Sequence, residues 1–222
     1  MARNVAAAEM QIGKGQCQHH HHHAAQRVKD LFPKLNFKAL GGLAVVAQVA
    51  DVLISSGGVS VGEADFTKQI MQELGDVGFW KIAMRPGRPM AFGTLKPVPG
   101  KSPARKTLFF GLPGNPVAVM VTFYQFVRAA LLQLNGASQT EAPLTQAIAE
   151  TPIRKKPGRT EFQRAIMGRN LDGRPSIRLT GSQGAGVLRS MSEANCFVIL
   201  HHDQGNIAAG DWVDVALFDG LL

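Results

Sequence analysis

Three apolar residues, Val52-Leu53-Ile54, run straight into Ser55-Ser56-Gly57-Gly58-Val59-Ser60-Val61-Gly62, and this junction constrains the fold more than any other stretch of the chain. A short run that is apolar on both faces and empties into a glycine-rich loop reads as a buried parallel strand feeding a helix. Asp65 suits the start of that helix, Phe66, Ile70 and Leu74 recur every four residues, and Gly75 suits its end. The spacing predicts half of a βαβ unit.

Further along, Phe79 to Met84 and Met90 to Leu95 read as strands. Between them stands Arg85-Pro86-Gly87-Arg88-Pro89, whose prolines and glycine interrupt ladder pairing and place a basic loop at the surface. Thr107 to Phe110 is strand-like, Gly111 to Pro116 a loop, and Val117 to Leu134 a long helix with Asn115 as its N-cap and Pro116 in its first turn. After Gly136 only short β-type segments follow: Phe162 to Met167, Ser176 to Thr180, Cys196 to Leu200 and Trp212 to Phe218. Asp172-Gly173 and Gly210-Asp211 supply turns between them. The predicted class is α/β, an open and mostly parallel sheet domain followed by a small β-barrel-like domain. The boundary is placed near 137–144, giving segments 1–46, 47–140 and 141–222.

Residues 1–46 carry a Gln/His tract from Gln16 to Gln26 and no sustained period, so the reading assigns them no fold and treats them as disordered or non-native. His19 to His23 read as a tag or low-complexity tract rather than a metal site. Only Cys17 and Cys196 are present, which excludes a disulfide framework and a four-cysteine zinc site. No stretch reaches the roughly 18 uninterrupted apolar residues of a membrane span. Val117 to Leu134 comes close but is broken by Thr122, Tyr124, Gln125, Arg128 and Gln133, and reads as a buried or interface helix. A cytoplasmic protein without a membrane partner is expected.

Charge is unevenly placed. The chain holds 24 Lys and Arg against 16 Asp and Glu, a formal net charge of +8. Residues 81–106 carry 7 basic and no acidic side chains, and residues 151–189 carry 9 basic against 2 acidic. Anionic partners follow from such a balance, without a specified ligand. Nucleic acid is disfavoured, because no aromatic-basic interleaving or recognised motif accompanies the charge.

Ligands of open α/β sheets bind beyond the carboxyl ends of the strands. Two loops hold that position. In the first, Gly57, Gly58, Ser60 and Gly62 allow backbone N–H groups to approach an anion, or serve only close strand-to-helix packing. In the second, Pro113 and Pro116 stiffen the backbone and Gly114 admits a ligand, or the loop merely caps the long helix through Asn115. Lys81 and Arg85 fall on one face by strand alternation and Arg88 lies on the adjoining turn, so three cations can hold a polyanion or form a solvated basic surface. Glu63 and Asp65 follow the glycine loop, where a carboxylate caps a helix or holds a hard divalent cation against phosphates. His201 and His202 read as surface residues.

Taken together, Ser55-Ser56-Gly57-Gly58-Val59-Ser60-Val61-Gly62-Glu63-Ala64-Asp65, Phe79-Trp80-Lys81, Arg85-Pro86-Gly87-Arg88-Pro89 and Gly111-Leu112-Pro113-Gly114-Asn115-Pro116 resemble the molybdopterin molybdenumtransferase family, which includes the C-terminal enzymatic domain of gephyrin. The resemblance runs from about residue 47 to the end. Lys156-Pro157-Gly158-Arg159, Phe162-Gln163-Arg164 and Asn195-Cys196 extend it into the later part.

The resemblance implies that adenylylated molybdopterin and molybdate give molybdenum cofactor and AMP, with magnesium. By the same resemblance Asp65 positions the metal or substrate and Lys81 and Arg85 act at the reacting anions. Gly57, Gly58, Ser60, Gly62, Glu63, Arg88 and the Pro113 to Pro116 loop bind substrate, with Asn115 and Gly114 shaping the molybdate end. A homodimer is implied as well. Arg85 departs from a common family Lys, which favours forked anion contacts. Family members also begin this domain with a strand, a Thr-Gly-Asp-Glu-like loop and a Tyr-Asp-x-Asn-like stretch, which do not occur in residues 1–50. The expectation is a partial copy whose sheet lacks a strand and whose activity is reduced, the alternative being a non-catalytic molybdopterin-binding or scaffold module.

Overall fold

The computed structural model describes residues 5–7, 50–57, 75–96, 106–184 and 188–218. In chain order the strands are β1 Val5–Ala7, β2 Val52–Ser56, β3 Gly75–Lys81, β4 Met84–Arg85, β5 Pro89–Leu95, β6 Thr107–Leu112, β7 Thr145–Ala149, β8 Thr160–Arg169, β9 Pro175–Leu179, β10 Cys196–Leu200 and β11 Trp212–Leu217. Helix α1 runs over Pro116–Leu134 and the short α2 over Leu188–Ser192. Two units result, one made of residues 1–80 and 89–114, the other of 81–88 and 115–222.

The first unit is a five-stranded sheet in the order β1-β2-β6-β5-β3. Its most buried described strand is β6, Thr-Leu-Phe-Phe-Gly-Leu, which is apolar on both faces and pairs parallel with β2, Leu53 opposite Phe109. On its other side β6 pairs antiparallel with β5, Phe92 opposite Phe110. The sheet is therefore mixed rather than mostly parallel among the described residues. Strand β1 pairs parallel with β2 through Val5 to Ala7, inside the segment to which the sequence reading assigned no fold. Three residues are too few to show a period, which is why that strand was missed. Gly75 begins β3 instead of only ending a helix, and it is buried with Val77 while Asp76 between them is exposed. The predicted helix from Asp65 to Leu74 lies outside the described residues.

In the second unit, β7, β9, β8, β10 and β11 close into a five-stranded barrel. Closure removes the free edges that an open sheet would expose. Inward alternation fills it: Ala147, Ala149, Cys196, Val198, Leu200, Val213 and Val215 all belong to one buried cluster. The opposite face of β10 is apolar too. Phe197 and Ile199 pack with Phe162, Met191, Met84 and the α1 residues Val121, Met120 and Tyr124. Burial on both faces explains the unbroken Cys-Phe-Val-Ile-Leu run, and burial holds the Cys196 thiol up at about 12.

Helix α1 is long and apolar enough to cross a membrane by length and composition. Its buried face instead joins the cluster on β10. A π-helical turn over Phe123–Val127 interrupts it, and the buried Thr122 hydroxyl just before donates to the Ala118 and Val119 carbonyls at 2.8 and 3.1 Å. At the start, the Asn115 side chain accepts from the Val117 N–H at 3.2 Å, with Pro116 needing no partner. Asn115→Ala leaves that N–H without its acceptor and is expected to cost about 1 kcal/mol, measured as the shift in urea midpoint.

On the barrel exterior Asp214 accepts from His201 at 2.7 Å and from Gln146 at 3.1 Å, and the His201 contact first, then Gln146, holds its carboxyl below the usual carboxylate range. A depressed carboxyl stabilises the fold while ionised, and that contribution disappears as pH falls through the folded-state pKa. Asp214→Asn is expected to flatten the acid limb of a melting-temperature profile and to leave its alkaline limb unchanged.

Candidate functional site

In the first unit the parallel pairing of β2 with β6 puts their carboxyl ends side by side. Gly57, at φ +86°, donates its N–H to the Leu112 carbonyl at 3.1 Å. A Cβ on Gly114 would sit 3.5 Å from the Gly57 Cα, so the two loops touch. Pro113 is buried beneath them and Gly114 is exposed. The remaining glycine-loop candidates, Gly58, Ser60, Gly62, Glu63 and Asp65, lie outside the described residues.

The second unit holds the basic elements. Residues 82–88 form a closed turn in which Ile82 donates to the Arg88 carbonyl at 2.9 Å and Met84 to the Ile82 carbonyl at 2.8 Å. Strand β4 then pairs parallel with β8, Met84 opposite Thr160 and Arg85 opposite Glu161. Gly87 is buried at φ +104°, with Met84 and the α1 residue Thr122 packed where a Cβ would go. The turn is thereby seated by glycine, while Lys81, Arg85 and Arg88 remain exposed.

Arg85 enters a cleft of about 830 Å³ lined also by Arg154, Lys155, Lys156, Arg159 and Arg164. Against these six cations stands, among the described residues, one lining carboxylate, Glu161. It is already engaged, accepting from Arg159 Nε at 3.1 Å and from Gln163 Nε2 at 3.2 Å. Lys155 is 4% exposed, and among the described residues its ammonium donates to backbone carbonyls, Lys156 at 2.8 Å and Gln204 at 3.3 Å.

Arg164 stands out by its burial, at 1% exposure the bulkiest fully buried side chain. Its Nε and Nη2 donate to Ser190 Oγ at 3.1 and 3.0 Å, and Nη2 also to the carbonyls of Ser182 at 3.2 Å and Gly184 at 3.0 Å. Among the described residues none of its partners is a carboxylate. Burial, and then the charge of Arg85, push its pKa below the usual guanidinium value. A guanidinium stays charged even so, and a buried charge without a counter-ion is costly. Such a site gains from any anion that enters it.

The cradle around Arg164 is tied by Gln183, whose Oε1 accepts from the Arg164 N–H at 2.9 Å and whose Nε2 donates to the Arg164 carbonyl at 3.0 Å. Thr180 adds donation to the carbonyls of Arg164 at 3.1 Å and Ser190 at 2.9 Å. These contacts fix the backbone on which the guanidinium is mounted.

Lys81 and Arg85, placed on one face by strand alternation in the sequence reading, line different clefts. Lys81 lines a smaller cleft of about 400 Å³ with Arg88, Lys156 and Arg159. The reason is local: β3 ends at Lys81 and β4 starts at Met84, so the alternation is broken between them. Arg164 appeared in the sequence only as part of a motif, and Ser190, Lys155 and Gln183 drew no notice. The available signal was a charged residue inside Phe162-Gln163-Arg164-Ala165, a stretch buried at every position. His201 and His202 are exposed and pair with Asp214 and Asp203.

Comparison with known proteins agrees with this architecture. Residues 13–133 match the probable molybdopterin binding domain, beginning within the segment that the sequence reading set apart, and residues 146–218 match the MoeA C-terminal region, domain IV. The chain is 42% identical over 174 residues to a molybdopterin molybdenumtransferase of Haemophilus influenzae, covering 78% of this chain and 41% of that protein. It is 32% identical over 182 residues to gephyrin of Dictyostelium discoideum, covering 76% and 25%. The chain thus spans less than half the length of these relatives. Among solved structures, a molybdopterin biosynthesis MoeA protein from Pyrococcus horikoshii superposes with a TM-score of 0.61 at 20% identity, covering 87% of this chain and 45% of that one, and supports the fold. With the first match spanning more than half of the sequence and the second falling on the barrel, the chain belongs to the molybdopterin molybdenumtransferase family.

Proposed function

We propose that the chain acts in molybdenum cofactor biosynthesis, taking adenylylated molybdopterin and molybdate and releasing AMP. The observation that carries this reading is Arg164, a buried guanidinium held by hydroxyl and carbonyl oxygens in a cleft where, among the described residues, six cations face one engaged carboxylate. A tetrahedral oxyanion supplies the missing counter-charge. Arg85 presents a forked donor to it and Arg164 the Nη1 donors that no described residue takes, while Ser190 and the Ser182 and Gly184 carbonyls hold the rest of the Arg164 guanidinium and the seated turn at Gly87 holds Arg85 in place. Preorganised cations of this kind stabilise negative charge as it shifts during transfer. The touching loops at Gly57 and Gly114 support a pterin-binding role for β2 and β6, the parallel pair at the centre of the mixed sheet.

Magnesium belongs to the proposal through Asp65, which lies outside the described residues. The described cleft does not itself suit a divalent cation: Glu161 is engaged by Arg159 and Gln163, and among the described residues no three potential ligands cluster. A cytoplasmic setting and a homodimer complete the reading.

The test is AMP release from adenylylated molybdopterin by the purified chain, with molybdate present or withheld. Molybdate-dependent release that is lost in Arg164→Met is the expected result. Molybdopterin binding without AMP release would replace the reading with a non-catalytic module, and molybdate-dependent release unaffected in Arg164→Met would remove the cleft from it.

A further inference from the structure

Burial alternates along residues 153–156: Ile153 and Lys155 are buried, Arg154 and Lys156 exposed. A lysine thus takes an inward position that alternation ordinarily gives to an apolar side chain. Its neighbours in the chain are cations, and among the described residues no carboxylate accepts from it. Burying an ammonium in this way costs desolvation, which an apolar side chain of similar length would avoid. Stability therefore does not account for Lys155.

Its bonds do. Segment 153–158 is seated on the turn that follows β10. Ile153 and Ile207 exchange backbone bonds, at 2.9 Å from the Ile153 N–H and 3.0 Å from the Ile207 N–H. The Lys155 N–H donates to Asn206 Oδ1 at 2.9 Å, and the Lys155 ammonium reaches the Gln204 carbonyl at 3.3 Å while also donating to the Lys156 carbonyl at 2.8 Å. Gly158 ends the seat by donating to the His202 carbonyl at 2.9 Å. The turn is itself braced: the His201 N–H donates to Gln204 Oε1 at 2.6 Å, and the Gln204 N–H donates to the His201 carbonyl at 3.2 Å. Arg154, Lys156 and Arg159, which line the larger cleft, are mounted on or beside this seated segment. Arg154 and Lys156 are exposed, so the backbone that carries them, rather than packing, sets where their charges lie.

We propose that Lys155 and Asn206 are positioning residues of this cleft: a buried ammonium and a carboxamide pin the 154–159 wall to the 201–206 turn and so hold the charges of Arg154 and Lys156 where an incoming oxyanion needs them. This role rests on the reading of the larger cleft as an oxyanion site and gives that site a support that does not touch the anion. An ammonium suits the task because its several N–H donors bind carbonyls on two segments at once, which an apolar side chain cannot do. Cations fixed before the anion arrives spare the ordering cost that a loose wall would add on binding. Small displacements of such groups are expensive, since a shift of about 1 Å can cost up to about a hundredfold in reaction rate.

Amide hydrogen exchange and calorimetric titration with molybdate test this role on the full chain, comparing wild type with Lys155→Met, Asn206→Ala and the double variant. In each single variant the amides of 154–159 should exchange at least about tenfold faster while those of β10 keep their protection, so that the barrel is seen to be folded and only the wall has loosened. Molybdate affinity should fall about tenfold in Lys155→Met and about threefold or more in Asn206→Ala, a change that removes no charge. In the double variant the loss should depart from the product of the single losses by at least about threefold, as for groups that hold one element together. Unchanged exchange of 154–159 in either single variant overturns the pin. Faster exchange with unaltered molybdate affinity overturns the positioning role, and so does a double-variant loss equal to the product of the singles, which marks the two residues as independent anion contacts. A wild-type chain that binds no molybdate, with the variants still loosened, overturns the oxyanion reading: the pin then stands, and its role at an oxyanion falls with that reading.

Discussion

Arg164→Met should abolish the stabilisation of this protein by molybdate. An anion that binds only the folded chain raises stability by about 2.7 kcal/mol when present at a hundred times its dissociation constant. In the wild-type chain that gain appears as a higher melting temperature. The variant loses the charge and the Nη1 donors that would receive the oxyanion, so the same concentration should produce no shift. Without anion, the substitution takes the guanidinium donors away from the Ser190 hydroxyl and the carbonyls of Ser182 and Gly184, all of which now accept from them. Losing those bonds costs about 1–3 kcal/mol, partly offset because an uncompensated buried charge is removed as well. Arg164→Lys separates charge from geometry: it keeps the cation but loses the fork, and should retain only a small part of the molybdate response. An unchanged melting shift in Arg164→Met would place the anion elsewhere.

Gly87→Ala should be the most damaging single methyl group in the second unit. A Cβ at this position lies 2.6 Å from Thr122 Cγ2 and 3.2 Å from Met84 Cε, at a backbone φ of +104°. Thr122 cannot rotate freely away, because its hydroxyl is held by the Ala118 and Val119 carbonyls in the buried face of α1. Left-handed strain contributes about 1–3 kcal/mol and overpacking a similar amount, so a loss of about 2–6 kcal/mol in denaturant unfolding is expected. Movement of the turn also shifts Arg85 and Arg88, the cations of the two clefts. Adding Thr122→Ser removes the colliding methyl while keeping the hydroxyl bonds. The double variant should regain the packing part of the loss and none of the backbone part, and a coupling of zero in that cycle would show that the collision is relieved by other means.

Much of the chain was readable residue by residue. Cys196 to Leu200 announced a strand through five consecutive apolar residues, and Asn115-Pro116 announced the start of α1 through cap chemistry. The exposed position of Arg85 and Arg88 followed from prolines that cannot donate to a ladder. Less visible was β3, because Gly75-Asp76 resembles a turn until its alternating burial is seen. Nor could alternation reveal Arg164. Phe162 to Ala165 is buried on both faces, so no period separates an inward arginine from an outward one.

By itself, then, the amino-acid order determined local backbone choices and the concentration of positive charge in 81–106 and 151–189, since these depend on each residue's own sterics, missing donors and charge. Tertiary structure decided which of those charges share a space. Arg85 faces Glu161 and Phe197 faces Arg164 only because the β4–β8 and β8–β10 ladders join segments far apart in the chain. Barrel closure and the division of Lys81 from Arg85 into separate clefts arise the same way, from pairing registers set by the burial of many side chains at once.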